Sequence, residues 1–142
     1  MKNGVINWNG VAGSTWNVTY FPPNPGGGSP ANGGWISWGG GPGFGGAPAV
    51  TQIFRIGNTI NSTNTWFNLA FTWNADGIMN QGQMKADVTT VGLHEMGHWL
   101  TVLHPSDCGA MDAAEVAAVM NPNWVKKWVL GADDKAASAA KY

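Results

Sequence analysis

Three histidines and a glutamate stand within eleven residues: His94-Glu95-Met96-Gly97-His98-Trp99-Leu100-Thr101-Val102-Leu103-His104. These residue types bind a transition metal and move a proton. On an α-helix, residues four apart sit about 40° from each other around the axis and one turn apart along it, so His94 and His98 point the same way and can grip one ion. Glu95 is offset from His94 by about 100° and can reach a water beside the ion without being a ligand. His104 would face about 240° away from His98 on a continuous helix, so a helix that ends near Leu100 and turns back is needed to bring it round. Three nitrogen ligands with the fourth tetrahedral position left to water is the arrangement of catalytic rather than structural zinc. The chain has three histidines, and all of them are here.

The pattern His94-Glu95-x-x-His98-x-x-Thr101-x-x-His104 resembles the signature of the metzincin zinc proteases. It departs at one position, because Thr101 stands where the family has glycine. The turn out of the helix favours a residue tolerant of positive φ, and a β-branched residue there carries strain of roughly 1 to 3 kcal/mol. Two other residues compete with His104 as third ligand. Glu115 lies at a downstream distance used by thermolysin-like zinc proteases, and Asp107 could ligate if the turn at Thr101 carries the chain past His104.

Composition limits the scaffold that can hold these groups. At 142 residues the chain suits a single domain, 1–142, with a core of its own and little room for another. Charged residues make up 11%, against roughly 25% in ordinary soluble domains, so the surface takes its polarity from Asn, Ser and Thr. A formal net charge of -1 and the lack of any Lys/Arg cluster exclude the electrostatic footprint of nucleic-acid binding and give no support to a membrane-surface role. No run approaches the roughly 20 apolar residues of a membrane span, and residues 1–4 lead into no apolar leader. The single cysteine, Cys108, rules out an internal disulfide. It reads as a small inert residue, or as an inhibitory thiol ligand if it reaches the metal.

The elements that must position the histidines are read as follows. Residues 16–21 form a strand that stops at Pro22. Residues 24–46 are rich in Gly and Pro, either a linker or an irregular loop pinned by Trp35, Trp38 and Phe44, with a short strand at residues 35–38. Residues 47–56 form a short amphipathic helix, since Val50, Ile53, Phe54 and Gly57 recur at near-helical spacing and Pro48 falls in its first turn. Residues 61–64 make a turn, residues 65–73 a strand, and residues 74–85 a loop. Asp87 caps a helix from Val88, whose far side is buried through Val88, Val91, Leu93 and Leu100. One or two helical turns follow at residues 112–119, and Asp133 and Asp134 precede an Ala-rich closing helix. No Asp-rich loop of calcium-binding spacing occurs, so calcium is not expected.

Residues 89–95 resemble the lead-in to the zinc helix of the matrixins, the metzincin branch that includes collagenases and many secreted bacterial proteases. Ala118-Val119-Met120-Asn121-Pro122 resembles the metzincin Met-turn, with Met111 as a competing methionine. Pro122-Asn123-Trp124 resembles the segment that walls the matrixin specificity pocket. The closing helix resembles the last helix of matrixin domains, in which the second of two aspartates, here Asp134, braces the Met-turn.

The resemblance implies an α+β fold. Its upper lobe, about residues 1–100, holds a small twisted mixed sheet and the zinc helix; an irregular lower lobe, about 101–142, holds the Met-turn and the closing helix. It implies a secreted, monomeric zinc endopeptidase carrying one catalytic Zn²⁺ on His94, His98 and His104, with Glu95 as general base and extended protein chains as substrate. Two other readings remain: a zinc-binding module without turnover, and a Trp-rich secreted binding module whose nine indoles stack on sugars or simply anchor the core.

Overall fold

The computed structural model describes residues 7–19 and 33–142. Tyr20 and Phe21 of the expected first strand, and residues 24–32 of the Gly/Pro stretch, lie outside the described residues. The remainder is α+β, with a small mixed sheet and three helices. No helix among the described residues is long and apolar enough to cross a membrane.

The sheet has three strands in the order β1-β3-β2, formed by β1 (Trp35–Trp38), β2 (Ala49–Ile56) and β3 (Thr59–Phe67). β1 runs parallel and β2 antiparallel to β3. A second, two-stranded parallel sheet joins β4 (Thr72–Asn74) to β5 (Lys85–Asp87). The helices are α1 (Val88–Trp99), α2 (Ala113–Ala117) and α3 (Ala132–Lys141).

Four expectations give way here. Residues 49–56 are a strand rather than a helix, because their burial repeats every second residue, with Ala49, Thr51 and Ile53 inward, and their β-branched side chains suit a pleated surface. The two residues between β2 and β3, Gly57 and Asn58, supply the hairpin, with Gly57 at φ 60. Residues 61–64 consequently lie inside β3 and are not a turn. The strand expected at residues 65–73 ends at Phe67; a turn closed by Phe71 N–H donating to Asn68 O (3.3 Å) separates it from β4. Finally, residues 16–19 belong to no strand, and at Val18 the Asn9 side chain takes both backbone bonds that a neighbouring strand would. Its Oδ1 accepts from Val18 N (2.9 Å) and its Nδ2 donates to Val18 O (2.8 Å).

Two apolar clusters flank α1. One gathers Trp8, Leu93, Met96, Leu100, Val119 and Met120 with neighbours from both ends of the chain. The other gathers Ala49, Phe67, Phe71, Ala86 and Val91 beneath the sheets. Residues 35–38 do form a strand, and the rings within the Gly-rich region are packed: Trp35 meets Trp66 edge-on at 5.0 Å, and Trp38 lies 5.0 Å from Phe67 and 5.2 Å from Trp73. Aromatic pairs at these separations add stability beyond the area they bury.

Candidate metal centre

Helix α1 is fixed at both ends. At its start the buried Asp87 accepts from Thr90 N (2.6 Å), Gly77 N (3.1 Å) and Trp128 Nε1 (2.9 Å), which satisfies an otherwise orphaned helix donor. At its end Thr101 N–H donates to His98 O (2.8 Å) and Val102 N–H to Gly97 O (3.1 Å). This pair of bonds is a Schellman closure, which requires a left-handed residue after the C-cap. That residue is Thr101, at φ 60. The conformation is one that a threonine adopts at a cost of roughly 1 to 3 kcal/mol. Lys141 of α3 braces it by donating to Thr101 O (2.8 Å) and to its hydroxyl.

With the helix stopped, the chain doubles back and His104 joins His94 and His98. The ring centroids are 4.8, 5.0 and 4.9 Å apart pairwise, and one ligand atom from each of the three lies within 4.8 Å of the others. His94 Nδ1 sits 2.8 Å from Val119 O and His98 Nδ1 sits 3.0 Å from Val102 O. A carbonyl only accepts, so each Nδ1 carries the proton and each Nε2 turns a lone pair inward. His104 Nε2 lies 3.1 Å from His94 Nε2, and the Asp107 carboxylate lies 3.7 Å from His104 Nδ1 on the outer side.

Electrostatics match this role. Burial, helped by the charge His98 would carry, pushes His94 down to about 3. Burial likewise pushes His98 down to about 4, against the bond to Val102 O. Both rings are therefore neutral at pH 7, the form that coordinates a metal. Three imidazole nitrogens suit a first-row transition-metal ion.

The rivals for third ligand fall elsewhere. Asp107 stands behind His104, and Glu115 is consumed by a capping box, its Oε2 accepting from Asp112 N (2.6 Å). Cys108 is exposed and stands outside the histidine group.

Glu95 is buried and lines, with His94, Val119, Pro122 and Trp124, a cavity of about 300 Å³. Burial pushes its carboxyl up to about 7, opposed by a hydrogen bond from Thr51. Thr51 Oγ1 donates to Glu95 Oε2 (2.6 Å) and also lies 2.6 Å from Thr65 Oγ1, which in turn accepts from Trp99 Nε1 (2.9 Å). Glu95 Oε1 has no hydrogen-bond partner among the described residues.

Beneath the histidines, Asn121 N–H donates to Ala118 O (3.2 Å), closing a turn over residues 118–121. Its Met120 is buried directly under α1: a Cβ built on Gly97 would lie 2.1 Å from Met120 Sδ and 2.8 Å from Trp8 Cζ2. Met111, the other methionine considered, is exposed. The fully buried Asp134 accepts from Val119 N (2.8 Å), Met120 N (3.1 Å) and Gly131 N (2.7 Å). Lys127 Nζ donates to Asn121 O (2.9 Å) and to Ala118 O. Trp124 stacks on Phe71 at 5.8 Å.

Sequence reasoning missed Thr51, Thr65 and Lys127. The alternation of Ala49, Thr51 and Ile53 was the available sign for the first; Lys127 gave none, since its partners are backbone carbonyls. Comparisons with family models, with curated proteins and with solved structures gave no match.

Proposed function

We propose that the protein is a zinc-dependent endopeptidase of metzincin type, acting on extended protein chains, with His94, His98 and His104 as the metal ligands. The observation that carries this reading is the convergence of three imidazoles, two of them with carbonyl-fixed tautomers, beside a buried carboxylate that opens on a cavity. A zinc ion held there would act as a Lewis acid on the substrate carbonyl and lower the pKa of water toward 7. Three protein ligands leave a coordination position open, as catalysis needs and a closed structural site does not provide.

The chain's own residues supply the rest. Glu95 takes a proton from the attacking water at its carboxylate and returns it to the departing amine nitrogen. Its elevated proton affinity suits both halves of that exchange. The cavity between Glu95 and Trp124 receives one substrate side chain, and its lining of Met79, Val91 and Trp124 favours an apolar one. Met120 and Asp134 serve as supports, holding the floor on which His94 rests.

Metal analysis of the purified chain, together with caseinolysis with and without chelator, tests the reading. The expected result is one zinc per chain and chelator-sensitive activity that is lost in Glu95→Ala with zinc retained. Zinc binding with no hydrolysis of any unstructured protein would leave a binding module instead.

A further inference from the structure

The hydrogen bonds around Glu95 form a chain whose direction is fixed by chemistry. An indole N–H can only donate, so Thr65 Oγ1 is the acceptor from Trp99 Nε1 (2.9 Å). A carboxylate can only accept, so Thr51 spends its single hydroxyl proton on Glu95 Oε2 (2.6 Å). The contact between the two hydroxyls (2.6 Å) must then run from Thr65 to Thr51. Every donor points toward Glu95, the arrangement in which successive hydrogen bonds polarise one another.

The placement of the four residues gives the chain a mechanical sense. Thr51 and Thr65 are direct cross-strand partners in β2 and β3. Glu95 and Trp99 are four apart on α1 and share a face of it. One pair of threonines therefore straps the helix to the sheet at two points, one turn apart, along the face next to that of His94 and His98. With Oε2 tied to the strap, rotation of the carboxylate is restrained beside the cavity that Glu95 lines.

We propose that Thr51, backed by Thr65 and Trp99, is a positioning residue that holds the Glu95 carboxylate in its proton-accepting orientation. This rests on the endopeptidase reading. The chain adds nothing to the metal shell, so its loss acts on turnover and not on zinc or substrate binding.

The test uses Thr51→Val, which keeps shape and strand propensity but removes the hydroxyl, and Thr51→Ser, which restores it. In the zinc-loaded protein, Thr51→Val is expected to lower kcat roughly tenfold or more, with KM within about twofold and zinc stoichiometry unchanged, while Thr51→Ser recovers kcat to within about threefold. In the metal-free protein, Thr51→Val is expected to shift the Trp99 indole N–H resonance, assigned through Trp99→Phe, because Thr65 loses its acceptor. Should the valine variant fold poorly, Thr65→Val interrupts the same chain one link further out and is read the same way. A wild-type kcat in Thr51→Val, or an unmoved Trp99 resonance, overturns the proposal while leaving the endopeptidase reading intact. A zinc-loaded wild-type protein without proteolysis overturns both.

Discussion

The ring of His94 rests on Val119: its Nδ1 lies 2.8 Å from the Val119 carbonyl across 25 positions of sequence. Helix α1 and the turn over residues 118–121 therefore form one mechanical unit. Val119 is itself held from below by Asp134, so a chain of three residues links His94 to α3.

Gly97→Ala should break that unit from above. The added methyl group would meet Met120 Sδ at 2.1 Å and Trp8 at 2.8 Å in a filled core, and overpacking of this kind costs about 1 to 3 kcal/mol. Urea unfolding of the metal-free variant, with a zinc competition titration, is expected to show both lower stability and weaker zinc. Unchanged values would mean that Met120 has room to move aside.

Asp134→Ala should break it from below, leaving the buried amides of Val119 and Met120 without acceptors. Unsatisfied buried donors cost about 1 to 3 kcal/mol each. The midpoint of thermal unfolding should fall, and zinc affinity should fall with it, because the carbonyl that orients His94 sits on the loosened turn. Calorimetry and metal competition measure the two effects separately.

Thr101→Gly has the opposite expected sign. Glycine takes the left-handed conformation at φ 60 without the clash of a branched side chain, and the bond from Lys141 to the residue 101 carbonyl survives. A gain of roughly 1 kcal/mol is expected, less the lost hydroxyl contact, with zinc binding unaltered. A clear loss of stability would show that the hydroxyl contact to Lys141 outweighs the strain.

Stability of the metal-free protein should rise with pH between about 5 and 6. In that window the unfolded chain protonates His94 and His98, which burial holds to about 3 and 4 in the folded state. Glu95, raised to about 7, works the other way, since the folded state keeps a proton that the unfolded state releases. Two protons against one leave the unfolded state with the larger uptake, and stability climbs with pH. Glu95→Gln removes the opposing proton, so its slope should be steeper than wild type by about 1.4 kcal/mol per pH unit. Urea midpoints at three or four pH values decide it; parallel slopes would mean that Glu95 is already ionised at pH 5.

What the sequence made legible is what it encodes locally. The three histidines lie within eleven residues, the cap at Asp87 is adjacent to its helix, and the need for a break near Leu100 follows from helical geometry alone. The structure brings the three rings together through a Schellman closure that Thr101 makes at a strained φ. The first half of the chain was harder because its order is set by distant partners. Residues 49–56 carry an apolar spacing that suits a helix equally well, and only pairing with Thr59–Phe67 selects the strand. The same misreading concealed Thr51, whose significance depends on Thr65 and Glu95, 14 and 44 positions away. At Val18 a single side chain, Asn9, replaced the neighbour that a strand would need.

Lys141 reaches from the last turn of α3 to the residue where α1 reverses. Lys141→Ala would thereby untie the corner that swings His104 into place without touching the sheet. On heating, that variant should lose the order of the His104 ring before any β-structure, so one ammonium far along the chain sets how firmly the corner holds.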